Sequence, residues 1–263
     1  MSLRWISCLL SLIALFAGCA RNHSDNGSAL TIAAASDLRY ALDETIQRFE
    51  QTNPALEMKA VYGSSGGFYA QIQQGAPFDM FLSADMDYPR RLSGMGLAIE
   101  GTEFQHSVGR LVVWVRKESS LDVEKLGIAT LVDPKAARIA IANPEYAPYG
   151  KSAVAAMKTL GVYEKVRDRL VLGENVSQTL EFIDSGAAQI GIVAMSLASA
   201  PAVKPRGRYW EIPLTAYPRM DQGGIILKGT KNRKGADELR SFILSTEGRT
   251  IFKQFGFYMP DDK

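Results

Sequence analysis

Apolar residues fall into short unbroken runs separated by stretches in which they recur every three or four positions, and the two patterns alternate along the chain. Residues 30–34 suit a buried strand, and Leu38, Leu42, Ile46 and Phe49 then recur at helical spacing as far as Asn53-Pro54. Residues 56–62 repeat the strand signal, a Gly-Ser turn follows, and 68–74 read as a helix stopped by Gly75-Ala76-Pro77. A third strand over 78–82, a helix over 88–95 and a short strand over 104–108 complete this half. Alternating strands and helices joined by short turns predict an α/β protein with a mostly parallel sheet and ligands at the carboxyl ends of its strands.

After Gly109 the pattern starts afresh. Strand-like runs at 111–115 and 138–142 lead to the loop 143–150, and a helix begins near Lys151 and runs to Leu160-Gly161. A strand over 170–172, the capping-type turn Gly173-Glu174-Asn175-Val176-Ser177, a helix over 178–185 and a strand over 189–193 follow. The last strand, 225–227, and helices near 236–244 and 249–255 are too few for a third domain, so they are expected to return to the first lobe. The expected division is 29–108 plus 222–263 for lobe 1 and 109–221 for lobe 2, with the two crossings as a hinge.

Two turns stand out as chemistry. Ala33-Ala34-Ala35-Ser36-Asp37 and Val61-Tyr62-Gly63-Ser64-Ser65-Gly66-Gly67 each end an apolar run with a small hydroxyl residue where an amphipathic helix starts. Such a place aims free backbone N–H groups and a positive dipole end at one spot, and two of them facing each other make an oxyanion site. The alternative is that Ser36 and Ser65 are ordinary helix N-caps.

Composition narrows the partners. The chain has 263 residues, 46% of them hydrophobic, with 30 Lys and Arg against 28 Asp and Glu, enough for two modest cores and unlike a disordered chain. A formal charge of +2 without any basic stripe speaks against nucleic acid and membrane surfaces as partners and for a small ligand. Residues 1–20 carry Arg4, an apolar run too short to span a bilayer, and a small-residue end, the layout of a secretory signal peptide. Phe16-Ala17-Gly18-Cys19 also resembles a bacterial lipobox, so cleavage after Ala20 and lipid anchoring through Cys19 both stay open. Residues 21–28 read as a polar tether. The only cysteines are Cys8 and Cys19, so the folded body has no disulfide, thiolate catalysis or cysteine-metal site.

Catalysis by Ser36 or Ser65 would need a base, and the only histidines are His23 in the tether and His106, expected at the surface or the hinge. With no histidine assigned to either serine, no enzyme is expected. A carboxylate metal site from Asp79, Asp85 and Asp87 is a further rival, although Asp85 and Asp87 flank a helix start, where Asp serves as a cap.

The motifs 33–36 (Ala-Ala-Ala-Ser), 63–66 (Gly-Ser-Ser-Gly), 75–79 (Gly-Ala-Pro-Phe-Asp), 81–85 (Phe-Leu-Ser-Ala-Asp), 143–150 (Asn-Pro-Glu-Tyr-Ala-Pro-Tyr-Gly), 174–176 (Glu-Asn-Val) and 191–193 (Gly-Ile-Val) occur in order. Together they resemble the periplasmic molybdate-binding proteins, the solute receptors of molybdate ABC importers, over nearly the whole body. The resemblance implies a two-lobed periplasmic-binding-protein fold of type II, a periplasmic or otherwise extracytoplasmic location, molybdate or tungstate as ligand without any cofactor, the membrane permease of an ABC transporter as partner, and a monomer. It also implies a ligand set of Ser36, the N–H of Asp37, Ser65, Tyr149 and the backbone of Val176. Many family members have Tyr after the Gly-Ile-Val strand where this chain has Ala194, and Tyr149 is expected to supply a hydroxyl instead. None of these positions is Lys or Arg, and aligned N–H and O–H donors are able to hold a dianion without a full positive charge. A sulfate receptor on the same fold is the alternative. Phosphate, which keeps a proton near neutral pH, would find an acceptor only if the Asp37 carboxylate turned inward.

Overall fold

Two five-stranded sheets carry the chain, and both are built to one plan. The computed structural model describes residues 29–262, so the leader, Cys19 and the tether lie outside the described residues. The first lobe opens with β1 (Leu30–Ala35), α1 (Arg39–Thr52), β2 (Met58–Gly63), α2 (Ser65–Gln73), β3 (Met80–Ser83), α3 (Asp87–Gly94) and β4 (Phe104–Gly109). A single residue, Arg110, leads to β5 (Leu111–Arg116) in the second lobe. There follow α4 (Val123–Leu126), β6 (Ile139–Ala142), α5 (Pro148–Thr159), α6 (Tyr163–Val166), β7 (Leu170–Gly173), α7 (Val176–Asp184), β8 (Ile190–Ala194), α8 (Met195–Ala198) and β9 (Gly207–Glu211). The chain then returns through β10 (Met220–Ile226), α9 (Arg233–Leu244) and α10 (Thr246–Gln254).

The strand orders are β2-β1-β3-β10-β4 and β7-β6-β8-β5-β9. Pairing is parallel within the first three strands of each order and antiparallel on both sides of β10 and of β5. Four strands of each sheet therefore point one way. The single reversed strand is in each case the first one laid down after a crossing, because a chain arriving from the other lobe enters from the opposite end. β4 runs to Gly109 and β10 begins at Met220, so the crossings are Arg110 and the segment 212–219.

Helices cover both faces of the sheets, and the strands read accordingly. Ile32 and Ala34 face α1 and the larger core, while Ala33 faces Phe68, Ile72, Phe81 and Leu92 on the other side. In α1 the buried residues Ala41, Leu42, Thr45 and Phe49 form one stripe. Trp114 is fully buried at the centre of the second lobe.

Two readings change here. Strand β10 starts five residues before the expected 225, because Gly223 and Gly224 are packing positions and not a turn. A Cβ at Gly223 would lie 2.0 Å from Met86 Sδ and 2.2 Å from the Phe104 carbonyl oxygen. His106 is buried in β4, close to the crossing, between the rings of Phe104 and Phe252, with Nδ1 2.8 Å from Ser107 Oγ. Burial pushes its pKa down to about 3, so it is neutral near pH 7.

Candidate functional site: an interlobe oxyanion cage

Four strand-to-helix turns meet between the lobes, two from each sheet, and they occupy equivalent places. The turn after β1 carries Ser36 and Asp37, and the turn after β2 carries Ser65. Their counterparts in the second lobe, after β6 and β7, carry Tyr149 and Val176. All five residues predicted for the site are buried, none more than 3% exposed.

Each helix starts inside its motif. Ser64, one position before the expected cap, is the N-cap of α2 and accepts from Gly67 N at 3.3 Å. Ser65 is thereby placed in the first turn, where its N–H has no intrahelical acceptor. Its Oγ accepts from Ala84 N at 3.0 Å. Ser36 likewise caps nothing in its own helix, since no side-chain cap bond forms there. Its Oγ accepts from Ser177 N across the cleft at 3.3 Å. Among the described residues neither serine hydroxyl donates a hydrogen bond, so each oxygen is pinned while its proton stays available to a ligand. Pro148 occupies the first turn of α5, where a missing N–H costs nothing, and Tyr149 follows it. Asn175 caps α7 through Oδ1, accepting from Ser177 N and Gln178 N at 3.0 and 3.1 Å, which leaves Val176 with a first-turn N–H.

Asp37 does more than the expected N–H contact. Its Oδ2 accepts from Tyr149 Oη at 3.0 Å and from Gln222 Nε2 at 2.8 Å, and Gln222 Nε2 also lies 3.0 Å from Tyr149 Oη. The Tyr149 hydroxyl, expected to donate to the ligand, is thus spent on a carboxylate in this closed arrangement. Burial pushes the Asp37 pKa up to about 6, against the opposing effect of the Gln222 and Tyr149 hydrogen bonds. Tyr149 is raised well above the ordinary range, by burial first and by the neighbouring Asp37 next.

The lobes touch directly. Gly66 N donates to the Tyr146 carbonyl at 2.8 Å, Ser177 Oγ to the Ser36 carbonyl at 3.0 Å, and Ser196 Oγ to the Asp37 carbonyl at 2.8 Å. Beside these contacts a cavity of about 340 Å³ opens between Asp85 and Arg90 of one lobe and Lys151 of the other.

Gln222, Ser177 and Ser196 escaped the sequence reading. Ser177 lay in a recognised cap motif but its reach across the cleft left no local trace. Gln222 had one signal, an amide next to an apolar strand, and it sits where the β10 register slips against β4, a bulge that re-aims the side chain into the cleft. The rival carboxylates are otherwise engaged. Asp79 accepts from Thr31 N, Thr230 Oγ and Lys231 N, and Asp85 accepts from Asp87 N. Among the described residues no group of three or more His, Cys, Asp or Glu side chains gathers at one point. Neither Ser36 nor Ser65 hydrogen-bonds a histidine, and no helix is long and apolar enough to cross a membrane, again among the described residues.

Two sheets hinged by two crossings, with helix starts from both lobes closing on a buried point, define a solute receptor. A family model described as bacterial extracellular solute-binding protein matches residues 30–258, and the chain belongs to that family. It is 34% identical over 218 residues to the molybdate-binding protein ModA of Rhodobacter capsulatus, covering 78% of this chain and 84% of that one. The molybdate-binding protein ModA of Azotobacter vinelandii is 31% identical over 226 residues, 86% of this chain and 88% of the relative. The solved structure of the Azotobacter vinelandii periplasmic molybdate-binding protein superimposes with a TM-score of 0.82 at 31% identity, covering 88% of this chain and all of the other.

Proposed function

We propose that this protein captures molybdate, and tungstate with it, in the cleft between its lobes and delivers it to the membrane permease of an ABC importer. The observation that carries the proposal is the pair of serine hydroxyls, Ser36 and Ser65, each pinned by accepting a backbone N–H and each with its proton free. With the first-turn N–H groups of Ser65 and Val176 they offer donors from opposite lobes to a tetrahedral anion, and no Lys or Arg stands among them. The relatives' names support the choice of molybdate among tetrahedral dianions.

In this reading the protein works outside the cytoplasm as a monomer, binds without catalysis and needs no cofactor. Ser36, Ser65, Val176 and the backbone of Asp37 address oxygen atoms of the anion, and Tyr149 joins them when its hydroxyl turns from Asp37. Protein purified from cells grown with trace metals is expected to carry molybdenum at near-equal stoichiometry by elemental analysis. A divalent cation in its place, removable by chelator, would reverse the assignment.

A further inference from the structure

Hydrogen atoms are in short supply around Asp37. Tyr149 brings one and the Gln222 amide brings two, and all three are used between Asp37 Oδ2 and Tyr149 Oη. Two acceptors are left over, Asp37 Oδ1 and Gln222 Oε1, both buried and without a partner among the described residues. An ionised carboxylate with one bare oxygen is a costly thing to bury, and more so beside a site for a dianion.

Among the described residues no cation relieves it. On α1, Arg39 is turned over the Tyr62 ring. At the crossing, Arg110 is bound to Glu211, and on β10 Asp221 is engaged by Arg219 and Gln105. Tyr149 faces Asp37 from α5, and Tyr217 stands behind it, its Oη accepting from Leu111 N at 3.1 Å. α7 and α8 contribute only Ser177 and Ser196, and His106 of β4 is turned to its own strand and the phenylalanines. The tightness is built in: a Cβ at Gly109 would come 2.5 Å from Gln222 Nε2 and 2.7 Å from Tyr149 Oη.

We infer that Asp37 carries a proton in the loaded protein, so that capture of the dianion takes up one proton from solvent. The inference rests on the oxyanion reading above and adds a second, obligatory passenger. A proton on Oδ1 converts the orphan acceptor into a donor and supplies the missing hydrogen of the cluster, while Oδ2 keeps the Gln222 amide when the Tyr149 hydroxyl turns to the anion. It also removes the like charge that would face the anion. The groups in question bind oxygen, not the metal, and molybdate stays a dianion throughout the neutral and alkaline range, so the proton must come to the protein.

Calorimetric titration of sodium molybdate into the mature protein, near pH 7 to pH 9 in two buffers of different ionisation enthalpy, counts the protons. Uptake approaching one proton per anion and affinity falling by about tenfold per pH unit are expected. Asp37→Asn, which keeps the shape and brings its own hydrogens, should bind with no uptake and with a flat profile. Molybdate binding by the wild type without proton uptake overturns this inference alone. Absence of any molybdate binding overturns the ligand assignment and the inference with it. Retention of the uptake in Asp37→Asn assigns the proton to another group and also defeats the inference.

Discussion

Replacing Gly66 by alanine places a methyl group in the seam between the lobes, where its effect on closure is separable from its effect on folding. A Cβ there would lie 2.6 Å from the carbonyl oxygen of Tyr146, which belongs to the opposite lobe, and 3.0 Å from the Tyr88 hydroxyl of its own. The hydroxyl is the end of a side chain and can give by a few tenths of an ångström. The carbonyl is backbone and moves only with its lobe. Reaching an ordinary contact of 3.4 Å requires a retreat of about 0.8 Å, which would take the 2.8 Å Gly66 to Tyr146 hydrogen bond to about 3.6 Å and so abolish it. A lost bond of this kind costs about 1–2 kcal/mol, or about 5- to 30-fold in affinity for a ligand that binds the closed form. Calorimetry with molybdate should show that loss, while thermal unfolding of the ligand-free protein stays near the wild type, because the lobes need only stand slightly apart. An unfolding midpoint lowered as for a core defect, with affinity per folded molecule unchanged, would refute the reasoning.

Other outcomes follow from the same geometry. Molybdate should reduce the radius of gyration of the protein in solution scattering, and a saturated protein of unchanged size would argue against hinge closure. Ser65→Ala should lose about 10- to 100-fold in molybdate affinity, since it removes a hydroxyl aimed at a buried anion, whereas His106→Ala should alter affinity little; the reverse order would move the site. In competition calorimetry sulfate should bind at least about tenfold more weakly than molybdate, because a donor ring set for longer metal–oxygen bonds leaves some sulfate contacts unmade. Asp37 also predicts a stability profile. Its pKa is 3.8 in an unperturbed carboxyl and about 6 in the fold, so the folded state binds the proton more tightly. Stability is then greatest on the acid side of this window, declines between about pH 4 and pH 6, and levels off above, by roughly 3 kcal/mol in all. Asp37→Asn should flatten that decline in denaturant titrations across pH.

How far the sequence spoke for itself depends on the range of the interaction. The turns at Ser36 and Ser65 were legible because strand, hydroxyl and helix start are local events. The alternative, that Ser65 is an ordinary cap, misses by one position, since Ser64 and Ser65 are chemically alike and only the backbone geometry makes Ser64 the cap of α2. Strand β9 went unseen: Gly207-Arg-Tyr-Trp-Glu is a half-buried edge strand with no clean alternation, paired only to β5. Within it Trp210 lies over Gly127 in a half-buried position. Gln222 was lost because its strand was cut short at two glycines whose reason for being there, the approach of Met86 and Phe104, lies far away in the chain. The resemblance carried by 143–150 and 174–176 supplied Tyr149 and Val176, which spacing alone would not have placed. The contact between Tyr149 and Asp37, which are 112 positions apart, was beyond either route.

The reversed strands also set a timetable for the newborn chain. When synthesis has reached Glu211, the second sheet has every one of its strands, whereas the first has a gap at the place where β10 belongs, and β4 has no neighbour to bind. The lobe that begins second is therefore the one able to finish first, against the usual order in which the N-terminal unit folds earliest. Until β10 leaves the ribosome, the N-terminal segment cannot close its sheet and Gln222 cannot reach Asp37. The half of the molecule that is made first is thus the last to be sealed.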